Sequence, residues 1–165
     1  RLVADGRPVL GHELTEWWVD AGSASGLLEA NARLLDALNP GVDPTAVLED
    51  VDIAGSVAVG PRTVLRRVRL RGPLVIGADC RLTDSEVGPS TSVGEGANLE
   101  GVRVWNSVLL PGSRLKGPGL CLADSVVGAG ASVSSRAADH ATLVVGDDAH
   151  LAIPPRPRRV WEVTR

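Results

Sequence analysis

The sequence predicts a mainly β protein in which residues 51–153 form a parallel β-helix of hexapeptide repeats with about six triangular coils. The main observation is a series of aliphatic residues 16 to 18 positions apart, each usually followed by Gly: Val59, Ile76, Val93, Leu109, Val127 and Val145. Two further series run in phase with it: Leu65, Leu82, Leu99, Leu115, Val133 and Leu151, and also Leu70, Val87, Val104 and Leu122. A single coil cannot bury such side chains, whereas stacked coils bury them in continuous columns. Three series therefore predict a prism with three parallel-sheet faces.

The composition agrees with a narrow aliphatic core. Of the 165 residues, 44% are hydrophobic, yet Phe, Tyr and Met are absent, so the core must be built from Val, Leu, Ile and Ala. The net charge of -3 is too small to indicate a nucleic-acid or membrane-surface partner, and no apolar run approaches the length that spans a bilayer. Because the chain opens at Arg1 without a Met, we expect it to be a piece of a longer protein.

The two cysteines are expected to be free thiols, as is usual in a cytoplasmic protein, because Cys80 and Cys121 lie far apart in the sequence. Cys80 also occupies the fifth position of its repeat unit, which is small and points inward in the other units. We therefore expect Cys80 to be a small core residue rather than a reactive thiol. The Gly that follows the aliphatic residue of each unit is expected to allow tight corner geometry.

Residues 1–50 carry no repeat. Residues 9–19 read as extended, residues 20–23 as a turn, and residues 26–38 as a helix with Ser23 or Ser25 as its N-cap. Residues 43–50 read as a linker into the repeat. Residues 154–165 form a Pro- and Arg-rich tail that cannot join a sheet and is expected to cover the open end of the prism.

One family resemblance covers the whole chain. It rests on the run Glu16-Trp17-Trp18-Val19-Asp20-Ala21-Gly22, on the run Leu27-Leu28-Glu29-Ala30-Asn31, and on the hexapeptide prism that follows. Together these resemble the C-terminal part of the long-form glucose-1-phosphate thymidylyltransferase family, whose catalytic domain ends in a W-x-D-T-G segment and an L-x-E-A-N helix. The resemblance implies a left-handed coil. It also implies that residues 1–42 are the C-terminal end of a nucleotidyltransferase domain and that residues 51–153 are the prism.

The resemblance also implies an activity and a set of site residues. The family transfers a thymidylyl group from dTTP to glucose 1-phosphate with Mg²⁺ and releases pyrophosphate, in deoxysugar and antibiotic pathways. Asp20 matches a metal-ligating carboxylate, while Trp18 and Gly22 are candidate substrate-binding residues. The family's Thr is replaced by Ala21 here, which removes a hydroxyl beside the metal site. The Gly-rich phosphate loop and the second metal-binding Asp are not in this sequence, so we expect the chain alone to be inactive.

Other interpretations remain open at this point. Asp20 could simply be a turn residue before a helix. A hexapeptide acyltransferase would use the same prism with a His as general base, and His140 is the candidate because residues 134–143 are too long for one segment and are expected to loop out. A non-enzymatic assembly scaffold is a third possibility. Trp105 follows an inward residue and should point outward, which would suit a contact with the catalytic domain or another subunit of a homo-oligomer.

Overall fold

The computed structural model describes residues 3–136 and 140–154, and in this part the chain is mostly β with one helix, α1 (Ala24–Asp36). The strands form a parallel β-solenoid of about six coils, which confirms the predicted fold class. Within the described ranges, no helix has the length and apolar character needed to cross a bilayer.

Sixteen strands follow α1 in the described residues, most of them only two to four residues long. In chain order they are β1 (Gly41–Val42), β2 (Val47–Ala54), β3 (Val57–Val59), β4 (Val64–Arg71), β5 (Leu74–Ile76), β6 (Arg81–Thr83), β7 (Glu86–Val87), β8 (Thr91–Val93), β9 (Asn98–Trp105), β10 (Val108–Leu109), β11 (Arg114–Ala123), β12 (Val126–Val127), β13 (Ser132–Ser135), β14 (His140–Ala141), β15 (Val144–Val145) and β16 (His150–Ile153).

The strands make three faces, as predicted. The first face is one parallel sheet in the order β1-β3-β5-β8-β10-β12-β15. The other sheet bends round a corner, because β2, β4, β9 and β11 each continue from the second face onto the third. This is visible at β4, whose first half pairs with β6 and whose second half pairs with β7. The bend falls at Arg67, where φ is 53°.

The three predicted aliphatic series form the interior of the prism. The register aligns the first series one residue per coil, and its members from Val59 to Val145 are all at most 9% exposed. The second series is buried except for Leu151, which is partly buried in the last coil, and the third is buried through Leu122. At the other end, the columns begin at three residues with no coil below them, which are 38 to 43% exposed: Val42, Leu48 and Ile53.

The first coil therefore starts before the predicted boundary. The second half of residues 43–50, expected to be a linker, belongs to β2, which pairs in register with β4. Two acidic residues of this segment have partners here. The Glu49 carboxylate accepts from the Arg66 guanidinium at 2.9 Å on the next coil, and the Asp43 side chain accepts from the Thr45 hydroxyl.

Three other segments differ from the sequence-based expectation or lie outside the described residues. Residues 9–19 form no strand, because no neighbouring strand pairs with them. The expected loop over residues 134–143 is shorter, since β13 extends to Ser135 and the chain rejoins the third face at β14. Residues 137–139 lie outside the described part, as does the tail beyond Pro154.

Gly60 and Gly128, which each follow a residue of the first column, are required by close approach between coils rather than by corner geometry. The last such glycine, Gly146, has nothing within 4 Å of its Cβ position, and Leu110 takes the equivalent place after Leu109. A Cβ placed on Gly60 would lie 2.7 Å from the carbonyl carbon of Gly77 in the next coil. A Cβ on Gly128 would lie 2.4 Å from the corresponding carbon of Gly146. Neither Gly60 nor Gly128 has a positive φ. A side chain here would push successive coils apart, so the backbone needs Gly for space and not for conformational freedom.

Charged pairs join successive coils at the corners. The Arg62 guanidinium donates to both carboxylate oxygens of Asp79, at 2.8 and 2.6 Å, and Arg67 makes the same two contacts with Asp84. Hydrogen bonds from these guanidiniums hold the pKa of Asp79 and the pKa of Asp84 below the ordinary value. All four residues have φ between 51° and 56°. Because the pairs are exposed, they add little stability, and their main effect is to hold the corner of one coil above the corner of the next.

Buried hydroxyls connect coils at another corner. The hydroxyl of Ser107 accepts from the backbone N–H of Ser125 at 3.1 Å, and the hydroxyl of Ser125 accepts from the N–H of Leu143 at 2.9 Å. Each hydroxyl donates in turn to a carbonyl two residues earlier. The serines thus satisfy buried backbone donors where the strand ladder is interrupted.

We predict that Ile76→Asp removes most of the stability of the prism, because a carboxylate at a site 1% exposed has no partner among aliphatic neighbours. Val144→Asp is the matched control on the same sheet, since Val144 is 70% exposed, and it should change the free energy of unfolding by less than ~0.5 kcal/mol. Urea unfolding followed by far-UV circular dichroism measures both. Equal midpoints would show that the inward column is wrong.

Candidate functional site

Asp20 lies in an exposed turn that leads into α1. Its Oδ1 accepts a hydrogen bond from the backbone N–H of Gly22 at 2.8 Å, which closes the turn. This is the geometry of an Asx turn, so the structural role considered for Asp20 is present. The other carboxylate oxygen has no hydrogen-bond partner in the described part of the chain. The carboxylate therefore shapes the turn and still offers an oxygen to solvent.

The local sequence explains why the turn packs closely against the helix. The hydroxyl of Ser23 accepts from the N–H of Gly26 at 3.1 Å, which confirms Ser23 as the N-cap. A Cβ on Gly26 would lie only 1.8 Å from the carbonyl oxygen of Asp20, so only Gly fits at this position. The Asp20 turn is thus fixed against the first turn of α1 by Ser23 and Gly26.

The turn and the helix line a shallow, open depression. Its lining residues are Trp18, Val19, Asp20, Ser23, Ser25, Gly26 and Glu29. Glu29 was not among the predicted site residues, although it belongs to the L-x-E-A-N run. Its carboxylate pairs with Arg33 at 2.8 Å on the same helix. The depression therefore holds two carboxylates, of which Asp20 has no cation beside it and Glu29 is already paired.

The donor set fits Mg²⁺ only in part. Residues 3–136 and 140–154 contain no group of three or more His, Cys, Asp or Glu side chains arranged to hold a metal ion. Mg²⁺ is typically bound by one or two carboxylates together with waters and substrate phosphates. Asp20 can supply one such carboxylate. The residues described here thus fit one ligand of a magnesium site and not a complete site.

The aromatic residues before the turn are exposed. Trp18 is 70% exposed at the edge of the depression, and Trp17 is 53% exposed with its ring 5.6 Å from the Arg33 guanidinium. Other large apolar side chains of the same region are also exposed, namely Val9, Leu10, Leu14 and Leu34. The structure therefore brings Trp18, Asp20 and Gly22 together at one turn, and it leaves several large apolar side chains of residues 9–34 exposed.

Asn31 attaches α1 to the prism, a role that the sequence did not reveal. Its side-chain amide donates to the carbonyl of Ser90 at 3.1 Å, and its Oδ1 accepts from the hydroxyl of Ser92 at 2.5 Å. Asn31 is buried, as is Leu35 one turn later. Just beyond the helix, the hydroxyl of Ser56 donates to the carbonyl of Leu38 at 3.3 Å. These contacts lay α1 along the first face, across several coils.

The residues of the acyltransferase interpretation do not form a catalytic cluster in the described residues. His140 does not lie in a loop as expected. It begins β14, which pairs with β11, and its ring lies 6.5 Å from that of Trp105 in an edge-to-face contact.

Burial raises the pKa of the Cys80 thiol, which donates to the carbonyl of Gly94 at 3.1 Å. Cys80 is therefore a core residue, as predicted.

Two known proteins are similar in sequence to this chain over most of its length. The chain is 35% identical over 154 residues to a glucose-1-phosphate thymidylyltransferase of Streptomyces griseus, a match that covers 92% of this chain and 43% of that protein. It is 31% identical over 157 residues to the low-salt glycan biosynthesis nucleotidyltransferase Agl11 of Haloferax volcanii, with the same two shares. The family resemblance is confirmed. The chain fits a C-terminal part of a glucose-1-phosphate thymidylyltransferase-like protein and spans less than half the length of these relatives.

Two further comparisons concern family models and solved structures. No family model matches the chain. A solved structure of a proposed acetyltransferase from Bacillus cereus is similar with a TM-score of 0.58 and 16% identity, over 70% of this chain and 73% of that one. At this identity the likeness concerns the prism alone and carries no information about activity.

We predict that Asn31→Ala loosens α1 while the prism stays folded. The substitution removes the amide from a buried site and leaves the Ser92 hydroxyl without its acceptor, a loss of about 1–3 kcal/mol in local stability. Hydrogen exchange of the α1 amides should become faster, whereas exchange in β4 to β11 should not change. Asn39→Ala is the control, since Asn39 is exposed beyond the helix. Unchanged protection of α1 would contradict the attachment role.

Proposed function

We propose that this chain is the C-terminal portion of a sugar-1-phosphate nucleotidyltransferase that makes dTDP-glucose from dTTP and glucose 1-phosphate with release of pyrophosphate. Both relatives are nucleotidyltransferases by name, which supports the reaction class. The observation that carries the proposal is the continuous match over 92% of the chain, because it includes the Asp20 turn and α1 as well as the prism. The nucleoside triphosphate and the sugar 1-phosphate would bind in the remainder of such an enzyme and reach this turn.

In this proposal Asp20 is one metal ligand. Its carboxylate is exposed, has an oxygen without a partner and is held by the Gly22 N–H and by the close contact with Gly26. A bound Mg²⁺ would offset negative charge that develops on phosphate oxygens. What Asp20 itself contributes is a charge fixed in position before the substrates bind, at a turn that cannot shift without displacing the start of α1.

Trp18 and Gly22 would line the substrate side of the same turn. Trp18 offers an exposed ring at the edge of the depression, which suits stacking against a sugar or a base. Gly22 donates its N–H to Asp20, so its role is to hold the carboxylate and to leave room above it. Ala21 stands where the family has Thr, so the hydroxyl of that Thr is not available in this protein.

The proposed domain organisation follows from the contacts of α1. Residues up to α1 would be the end of the catalytic domain, and the prism would carry it through Asn31. The two free thiols suit a reducing compartment and support a cytoplasmic location. The exposed apolar side chains of residues 9–34 would pack against the rest of the catalytic domain.

The acyltransferase alternative rests on His140 and on the prism. His140 is exposed at the start of β14, and in the described residues its ring contacts Trp105, which is an unsuitable partner for orienting a general base. The assembly-scaffold alternative predicts no chemistry at the Asp20 turn. Neither alternative predicts that a substitution at Asp20 lowers the rate of nucleotidyl transfer.

We predict that the purified 165-residue chain releases no pyrophosphate from dTTP and glucose 1-phosphate with saturating Mg²⁺. The physical reason is that a single carboxylate, without the Gly-rich phosphate-binding loop, is not sufficient to position the nucleotide. The same assay on an enzyme that carries this chain behind a nucleotide-binding domain is the positive control. Turnover by the isolated chain would contradict the proposed division of roles.

In such an intact enzyme, Asp20→Asn should lower kcat by roughly 100-fold or more, which corresponds to ~2.7 kcal/mol of transition-state stabilisation. Asn keeps the oxygen that accepts from Gly22, so the turn and the fold should be retained while the charge is lost. KM for glucose 1-phosphate should change much less, because the charge matters most in the transition state. Asp36→Asn, at the far end of α1, is the matched control. A kcat close to that of the unmodified enzyme would leave Asp20 with a turn role only.

A further inference from the structure

The outward side of the third face carries an ordered column of charges. The strand register aligns four residues, one per coil, in the order Asp52, Arg69, Glu86 and Arg103. We call these four residues the charged column. Neighbouring members are one strand spacing apart, about 4.8 Å, so the column is about 14 Å long. Its signs alternate strictly along the prism axis.

Most of the column forms no ion pair within the described part of the chain. Opposite charges on adjacent strands commonly pair with each other, which is the ordinary explanation for such a ladder. Here Asp52 pairs instead with Arg71, at 2.6 Å. Arg69, Glu86 and Arg103 form no ion pair with any described residue, although they are adjacent in register. Arg69 and Arg103 are exposed and Glu86 is partly exposed.

The order of the charges makes the column complementary to itself when it is reversed. If two copies face each other with antiparallel prism axes, a two-fold axis along the strand direction places Arg69 opposite Glu86 of the second copy. The same operation places Asp52 opposite Arg103. Two Arg69–Glu86 ion pairs then form between copies, while Asp52, which already pairs with Arg71, lies opposite Arg103. With parallel axes and the columns in contact, each charge would meet its own copy and repel it.

We propose that the third face is an isologous interface through which two copies of this chain associate with antiparallel prism axes, with Arg69 and Glu86 of each copy paired across the two-fold axis. The contact is small, so the dimer is weak and depends on salt. This proposal does not rest on the proposed activity, because it concerns only the prism.

Sedimentation velocity of the 165-residue chain over about 10 to 500 μM, at roughly 0.02 M and 0.5 M NaCl, tests the association. We expect a monomer–dimer equilibrium at low salt that shifts to monomer at high salt. Sedimentation as a monomer at every concentration in low salt would overturn the proposal, as would association that salt does not weaken.

Charge reversal tests the pairing itself. Arg69→Glu alone and Glu86→Arg alone should each raise the dimer dissociation constant at least tenfold, because each places two like-charged contacts in the interface. An equal mixture of the two variants should dimerise again, since each mixed dimer gains the complementary charges. The double variant R69E/E86R should associate like the unmodified chain, which also shows that the substitutions leave the fold intact.

The controls reverse charges elsewhere on the prism. Arg81→Glu on the second face and Glu95→Arg at a corner make the same changes at exposed residues without ion pairs in the described part. Both should dimerise as the unmodified chain does. Equal losses in these controls, or failure of the mixed variants to associate, would overturn the antiparallel pairing of Arg69 with Glu86.

Discussion

The structure depends on the stacking of inward aliphatic residues from one coil to the next. No coil has enough apolar surface of its own, so burial is possible only when each aliphatic residue lies above the one before it. Ile76 illustrates this, because it is 1% exposed while the equivalent residue in the first coil, Val42, is 43% exposed. The alignment that buries the interior therefore sets the height of every other residue on the prism.

Several other features follow from that alignment. Because the inward residues lie in register, the outward residues do as well, and similar chemistry recurs at one strand spacing. The corner pairs of Arg62 with Asp79 and of Arg67 with Asp84 both join residues 17 positions apart. The close approach of Gly60 to Gly77 arises from the same spacing. The outward charges acquire a fixed order along the prism axis for the same reason. A second copy with the opposite axis direction can therefore place an opposite charge against each member of the Arg69–Glu86 pair.

The parts of the fold that could be predicted from the sequence are those in which a local pattern and a tertiary contact coincide. The three columns are such a case, because the repeat in the sequence is also the repeat in space. Residues 43–50 were expected to be a linker, because the partner that places Glu49 in the first coil, Arg66, lies one coil further along the chain. Asn31 was missed because its partners lie about sixty residues further along the chain. The Asp20 turn was recognised from a short run of sequence. Glu29 was not predicted as a site residue, because only the path of α1 shows that it lines the same depression.

The division between the prism and the Asp20 turn has a physical basis. The prism buries several thiols and hydroxyls in hydrogen bonds to backbone carbonyls, although the buried Ser113 hydroxyl has no partner in the described residues, and burial makes the Cys80 thiol hard to ionise. The turn is the opposite case, since Asp20 is exposed and retains an oxygen without a partner. What the turn needs from the prism is a fixed position. Asn31 supplies it, because a helix attached in its middle by two hydrogen bonds cannot rotate or slide without breaking them. The start of α1, and with it the turn, is thereby held in place relative to the prism.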